Sequence, residues 1–132
     1  MFNDVEQLKI SLYLARLLKT SIQMAEQKKP VVVTDDSFEE FVAKNKHVVV
    51  DCWAAWCGPC NMLSPIVEQL AGEHPEITFG KLNVDENRKV PMRFGIMSIP
   101  TLLYFKEGKL ADKTLGALSK KMLEGRLQRL KA

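Results

Sequence analysis

Val48-Val49-Val50-Asp51-Cys52-Trp53-Ala54-Ala55-Trp56-Cys57-Gly58-Pro59-Cys60 is the stretch that decides how this chain folds. Its first half belongs to a near-continuous apolar run over residues 47–54, the pattern of a central strand buried on both faces. Its second half opens a helix over 57–72, because the first helical turn can spare an amide donor and so accepts Pro59. The same alternation continues outward. Residues 31–33 read as a short strand, Asp35, Asp36 and Ser37 offer capping oxygens to a helix through Phe38, Phe41 and Val42, and residues 77–84 form another strand. Residues 87–94 make a short helix, 102–105 and 110–115 a hairpin turning at Glu107-Gly108, and Ser119 caps a last helix. Strands of β-branched residues alternating with segments of helical period are the sign of an α/β or mixed α+β sheet. Pro65 removes a hydrogen bond to the carbonyl of Asn61, which predicts a kink in its helix.

The totals agree with one compact domain. A chain of 132 residues with 46% hydrophobic content buries a core without staples. A formal charge of +3 with scattered charges gives no electrostatic reason to expect nucleic acid. Three cysteines cannot all pair within one monomer, which points to a reducing compartment and makes the cytoplasm the expectation. The first residues agree: Asp4 and Glu6 stand where a secretory leader is basic, Arg16 and Lys19 interrupt the apolar region, and no run approaches the roughly 18 apolar residues of a membrane span.

Cys57 and Cys60 carry chemistry because of where they sit. The amides of a first helical turn lack internal partners and the helix dipole adds about half a positive charge there, so a thiolate at Cys57 is stabilised. Cys60 lies one turn on and can attack a mixed disulfide formed at Cys57. Cys57 is then the nucleophile and Cys60 the resolving thiol, while Gly58 lets a substrate backbone come close. Two other readings compete, structural zinc and an inert buried pair. Zinc needs four ligands, and the chain has no second Cys-x-x-Cys; His47 and His74 are single residues without companion spacing. No metal and no cofactor are expected; the redox-active group is the Cys57–Cys60 pair itself, which gives up two electrons on passing from dithiol to disulfide.

Asp51 places a carboxylate inside the buried strand. Desolvation raises its pKa, and a group exchanging protons near neutrality is what Cys60 needs when it becomes a thiolate. The competing reading turns the carboxylate to solvent at the strand end. Lys81, equally out of place among Ile77, Phe79 and Leu82, is the expected charge partner of Asp51. Cys52 reads as a small buried hydrophobe.

With these residues in view, the chain from residue 31 onward resembles the thioredoxin family. Residues 51–60 are close to that family's active-site stretch, and Gly95-Ile96-Met97-Ser98-Ile99-Pro100-Thr101 is similar to the segment holding its cis-proline. The resemblance implies a thioredoxin fold, a mixed parallel and antiparallel sheet with helices on both faces. It implies a protein-disulfide reductase serving disulfide-containing client proteins and regenerated by a thioredoxin reductase. It also implies that Pro100 is cis beside Cys57, that the Ile99 backbone pairs with an extended substrate, and that Trp56, Pro59, Gly116 and Ala117 complete the groove. Asn61 and Met97 depart from the family, each standing where a basic residue is frequent. The alternatives are a disulfide isomerase or oxidase, and a binding or chaperone subunit using the same groove.

Residues 1–30 read as an extension and linker ahead of a domain over 31–132. Residues 5–24 fit one amphipathic helix, with Leu8, Ile10, Leu14, Leu17, Leu18 and Ile22 on a broad apolar arc. Packing on its own domain or in a homodimer is the favoured role. The others are contact with a membrane surface through Lys9, Arg16 and Lys19, and a true start at Met24.

Overall fold

The structure, a computed structural model, describes residues 9–12, 14 and 29–132. Residues 9–12 and 14 are helical, with Ile10, Leu12 and Leu14 exposed; the rest of the amphipathic helix expected over 5–24 lies outside the described residues. Among the described residues, no helix is long and apolar enough to cross a membrane.

From residue 29 the chain forms a five-stranded sheet flanked by helices. Its strands are β1 (Val31–Val32), β2 (His47–Trp53), β3 (Thr78–Asn83), β4 (Thr101–Lys106) and β5 (Lys109–Leu115), in the order β1-β3-β2-β4-β5. The apolar run expected to be buried on both faces is the central strand. β2 runs parallel to β3 and antiparallel to β4, and every residue from His47 to Cys52 is buried. Since successive side chains of a strand point to opposite faces, β2 feeds two cores. Val49 packs with Leu63, Leu70, Leu123 and Leu127 from α2 (Gly58–Glu73) and α4 (Lys120–Lys131). Val48, Val50 and Cys52 pack on the other face with Phe38 and Val42 of α1 (Phe38–Lys44) and Val90 of α3 (Lys89–Arg93). There Phe38, Phe94 and Phe105 meet edge to face, each pair of ring centroids 5.5 Å apart.

Local signals behave as their chemistry dictates, with two exceptions. Ser119 Oγ accepts from the Met122 amide at 3.3 Å, the expected cap of α4. Glu107 and Gly108, at φ 50° and 83°, take the paired left-handed conformations of a tight hairpin turn. Ser37, however, makes no capping bond to α1 and its hydroxyl accepts from Thr34 N instead. Asp35 also serves a distant helix: its two carboxylate oxygens accept from the amides of Lys89 and Val90 at 3.1 and 2.9 Å, capping α3. An N-cap side chain is chosen by proximity in space, and here the loop before α1 lies against the start of α3. α2 is one continuous element from Gly58 to Glu73, with Pro65 inside it.

Gly80 fixes how closely α1 approaches the sheet. A Cβ there would lie 2.6 Å from Val33 Cγ2 and 2.9 Å from Phe41 Cε1. Gly80→Ala is therefore expected to lower stability by about 1–3 kcal/mol, read as a reduced urea midpoint with unchanged slope.

Candidate active site

The disulfide sits where β2 hands over to α2. The strand's last carbonyl, Trp53 O, accepts from Val84 N at 2.9 Å, and a turn closes as Cys57 N donates to Ala54 O at 3.2 Å. Cys57 is the N-cap of α2, with extended backbone angles and Pro59 in the first turn. Its sulfur accepts the Cys60 amide at 3.2 Å, the bond a capping oxygen would make. Cys57 and Cys60 form a disulfide and both are buried. No acidic residue lies in the first turn, so nothing there opposes negative charge on the sulfur. Asn61 donates through Nδ2 to Ala55 O at 3.3 Å and braces the same turn.

Asp51 lies beneath this turn, only 1% exposed, and its Oδ1 has no hydrogen-bond partner. Burial pushes its carboxyl up to about 6, partly offset by the positive charge of Lys81. The reading in which this carboxylate faces solvent is therefore wrong: β2 is covered on both faces up to Cys52. Lys81 is the register partner of Asp51 on the adjacent parallel strand. Its ammonium nevertheless turns to Ser64 Oγ, donating at 3.3 Å, and lies 4.6 Å from the centre of the Trp53 ring. Lys81 thus acts on Asp51 through space, without the direct contact that charge pairing suggests. Asp51, Trp53, Cys60, Asn61, Ser64 and Lys81 enclose a cavity of about 30 Å³, room for a single water molecule between the carboxyl and the second cysteine.

On the outer side of the disulfide runs a cleft of about 430 Å³, mostly apolar, whose walls include Trp56, Gly58, Pro59, Ile96, Met97 and Ile99. The Ile99–Pro100 peptide is cis, and Ile99 O lies 3.8 Å from Cys57 Sγ. Pro100 is buried. Trp56 is 72% exposed, its indole held in place as Nε1 donates to Asp85 Oδ2 at 2.9 Å. Gly116 and Ala117 do not line this cleft; Gly116 donates its amide to Pro100 O at 2.8 Å and so supports the proline from behind. Val84 and Pro91 complete the wall, and the sequence reading does not single them out. Nothing in strand or helix periodicity marks them, since one follows β3 in a loop and the other belongs to a five-residue helix.

Zinc at the cysteine pair finds no support in the donors around it: the cavity beside Cys60 offers Asp51, Ser64, Asn61 and the cation Lys81. Glu73, His74 and Glu124 do bring ligand atoms within 4.8 Å of one another, but Lys120 binds Glu73 at 2.7 Å and Lys131 reaches His74 Nδ1 at 3.3 Å. Cys52 is fully buried, with its thiol pushed up to about 12 by burial and by Asp51, as an inert core residue should be.

Geometry of this kind is shared with known proteins. The thioredoxin family model matches residues 29–129. The chain belongs to the thioredoxin family. It is 46% identical over 98 residues to a thioredoxin of Alicyclobacillus acidocaldarius, covering 74% of this chain and 93% of that relative. A thioredoxin of Acidithiobacillus ferridurans is 52% identical over 93 residues, 69% of this chain and 86% of that relative. Among solved structures, a mutant thioredoxin from Halobacterium salinarum superposes with a TM-score of 0.76 at 29% identity, covering 80% of this chain and 94% of that one. As a thioredoxin, the chain is a thiol–disulfide oxidoreductase that reduces disulfide bonds in other proteins. The five-stranded mixed sheet is the thioredoxin fold expected from the sequence.

Proposed function

We propose that the reduction runs in two exchanges through Cys57 and Cys60, with Asp51 assisting proton transfer. In the dithiol form, the Cys57 thiolate attacks one sulfur of a client disulfide; the client S–S bond breaks and the other client sulfur leaves as a thiolate. Cys60 then gives up its proton and attacks Cys57 Sγ, which releases the second client sulfur and forms the Cys57–Cys60 disulfide. Asp51 takes up that proton, being the carboxyl that lines the same small cavity as Cys60. Lys81 biases the carboxylate from the side.

The observation that carries this reading is the bond from the Cys60 amide to Cys57 Sγ at the helix N-terminus, since it favours negative charge on the sulfur that faces the cleft. An extended client segment fits along the cleft, its backbone meeting Ile99 and its side chains meeting Trp56, Pro59 and Met97. Gly116 serves indirectly by holding Pro100. The experiment that tests the order of events is capture of a client on a Cys60→Ser variant and its absence on Cys57→Ser.

The partners we infer are disulfide-containing clients and a thioredoxin reductase that restores the dithiol, in the cytoplasm. Residues 31–132 are read as the catalytic domain and residues 1–30 as an extension.

A further inference from the structure

One hydroxyl beside the cysteine pair, that of Ser64, has no part in the exchanges described so far. Lys81 stands in register beside Asp51, whose Oδ1 has no hydrogen-bond partner, yet the ammonium donates to Ser64 Oγ at 3.3 Å. A buried carboxylate oxygen is a stronger acceptor for an ammonium than a neutral hydroxyl, so the ammonium's position needs a cause. Ser64 supplies it. Cys60 and Ser64 are four residues apart on α2 and project to the same side of the helix. Asp51 and Trp53 are two apart on β2 and share a face of the sheet. The hydroxyl and the Trp53 ring hold the ammonium from two sides, 3.3 Å from the oxygen and 4.6 Å from the ring centre. All of these groups line the one cavity between Asp51 and Cys60.

We propose that Ser64 is a positioning residue for proton transfer at Cys60: its hydroxyl anchors the Lys81 ammonium at the cavity wall and keeps it off the Asp51 carboxylate. The inference rests on the reading of Asp51 as the proton acceptor. An ammonium drawn onto that carboxylate would fix its negative charge and weaken it as a base for the thiol. Held by Ser64, the same cation leaves the carboxyl free to take up the proton and release it near neutrality. The other charged or titratable groups around Asp51 do not substitute for it. Cys60 faces it from α2, and Cys52, its strand neighbour, points to the opposite core. Its register neighbour on β4 is the uncharged Leu102.

The test follows the Asp51 carboxyl directly, by carbon-13 NMR titration of the full-length protein, in the parent, Ser64→Ala, Ser64→Thr and Lys81→Met forms. Ser64→Ala is expected to lower the titration midpoint of Asp51 by about half a pH unit or more, as the released ammonium moves toward the carboxylate. Ser64→Thr, which keeps the hydroxyl, is expected to restore the parent midpoint, and Lys81→Met to raise it. An unchanged midpoint in Ser64→Ala, alongside a raised one in Lys81→Met, would overturn the role of Ser64. Because this signal is independent of turnover, failure of the proton-acceptor reading is seen separately, as a pH–rate profile that Asp51→Asn leaves unaltered.

Discussion

Cys57→Ser is expected to abolish reduction of a disulfide-containing protein such as insulin, with a loss of more than about a thousandfold, whereas Cys60→Ser should trap the client. The two substitutions are chemically identical and sit three residues apart, so the contrast comes from position. Cys57 caps α2 and its sulfur takes the Cys60 amide, which favours a thiolate able to attack. A hydroxyl at position 57 stays protonated at neutral pH and cannot begin the exchange. With Cys57 intact and a hydroxyl at position 60, the first exchange proceeds and the second does not, because no sulfur remains to displace the client. A covalent adduct visible on a non-reducing gel, and dissolved by dithiothreitol, is the expected product of Cys60→Ser. An adduct formed equally by Cys57→Ser would reverse the assignment.

Asp51→Asn is expected to make the protein more stable and slower. The carboxyl titrates at about 6 when folded, against 3.8 for an ordinary aspartate, because burial disfavours its charged form. Between these values the native state keeps a proton that the unfolded chain has lost, so stability from this group is fully present below about pH 4 and falls as pH rises through 6. The full penalty at neutral pH is on the order of 3 kcal/mol, since each tenfold change in proton affinity is worth about 1.4 kcal/mol. Removing the charge should recover much of it: urea unfolding at pH 7 should show a gain of about 2–3 kcal/mol, shrinking toward zero near pH 4. The same change removes the acceptor for the Cys60 proton. Release of the mixed disulfide at pH 7 should slow by about a hundredfold, the lower range for a positioned base, and lose its inflection near pH 6. A stable variant with unimpaired release would show that Cys60 loses its proton elsewhere.

Such a buried charge is legible in the sequence because Asp51 interrupts a run that is otherwise apolar, and a strand with two covered faces leaves a carboxylate nowhere to go. The central strand, the helix starting at the cysteines and the hairpin at Glu107-Gly108 are legible for the same reason, each depending on near neighbours in the chain. What escapes depends on contacts across the fold. Asp35 looks like a cap for the helix it precedes, yet it accepts from Lys89 and Val90, more than 50 residues away. The bond that fixes Trp56 reaches Asp85, which has no pattern of its own in the sequence. Lys81 stands out as a misplaced charge, but its actual partner, Ser64, is an ordinary helical serine until α2 is laid over the sheet. Gly116 and Ala117 are expected in the groove from the resemblance alone, and the cleft beside Cys57 adds Val84 and Pro91, which no sequence pattern marks.

The reductant reading meets its most direct test in the reduction potential of the Cys57–Cys60 pair, equilibrated against glutathione or dithiothreitol buffers and followed by the fluorescence of Trp53 and Trp56. A value well below the glutathione poise, near the family's about −270 mV, is the expected result; a value of about −180 mV or higher would mean that this chain makes or shuffles disulfides instead of reducing them.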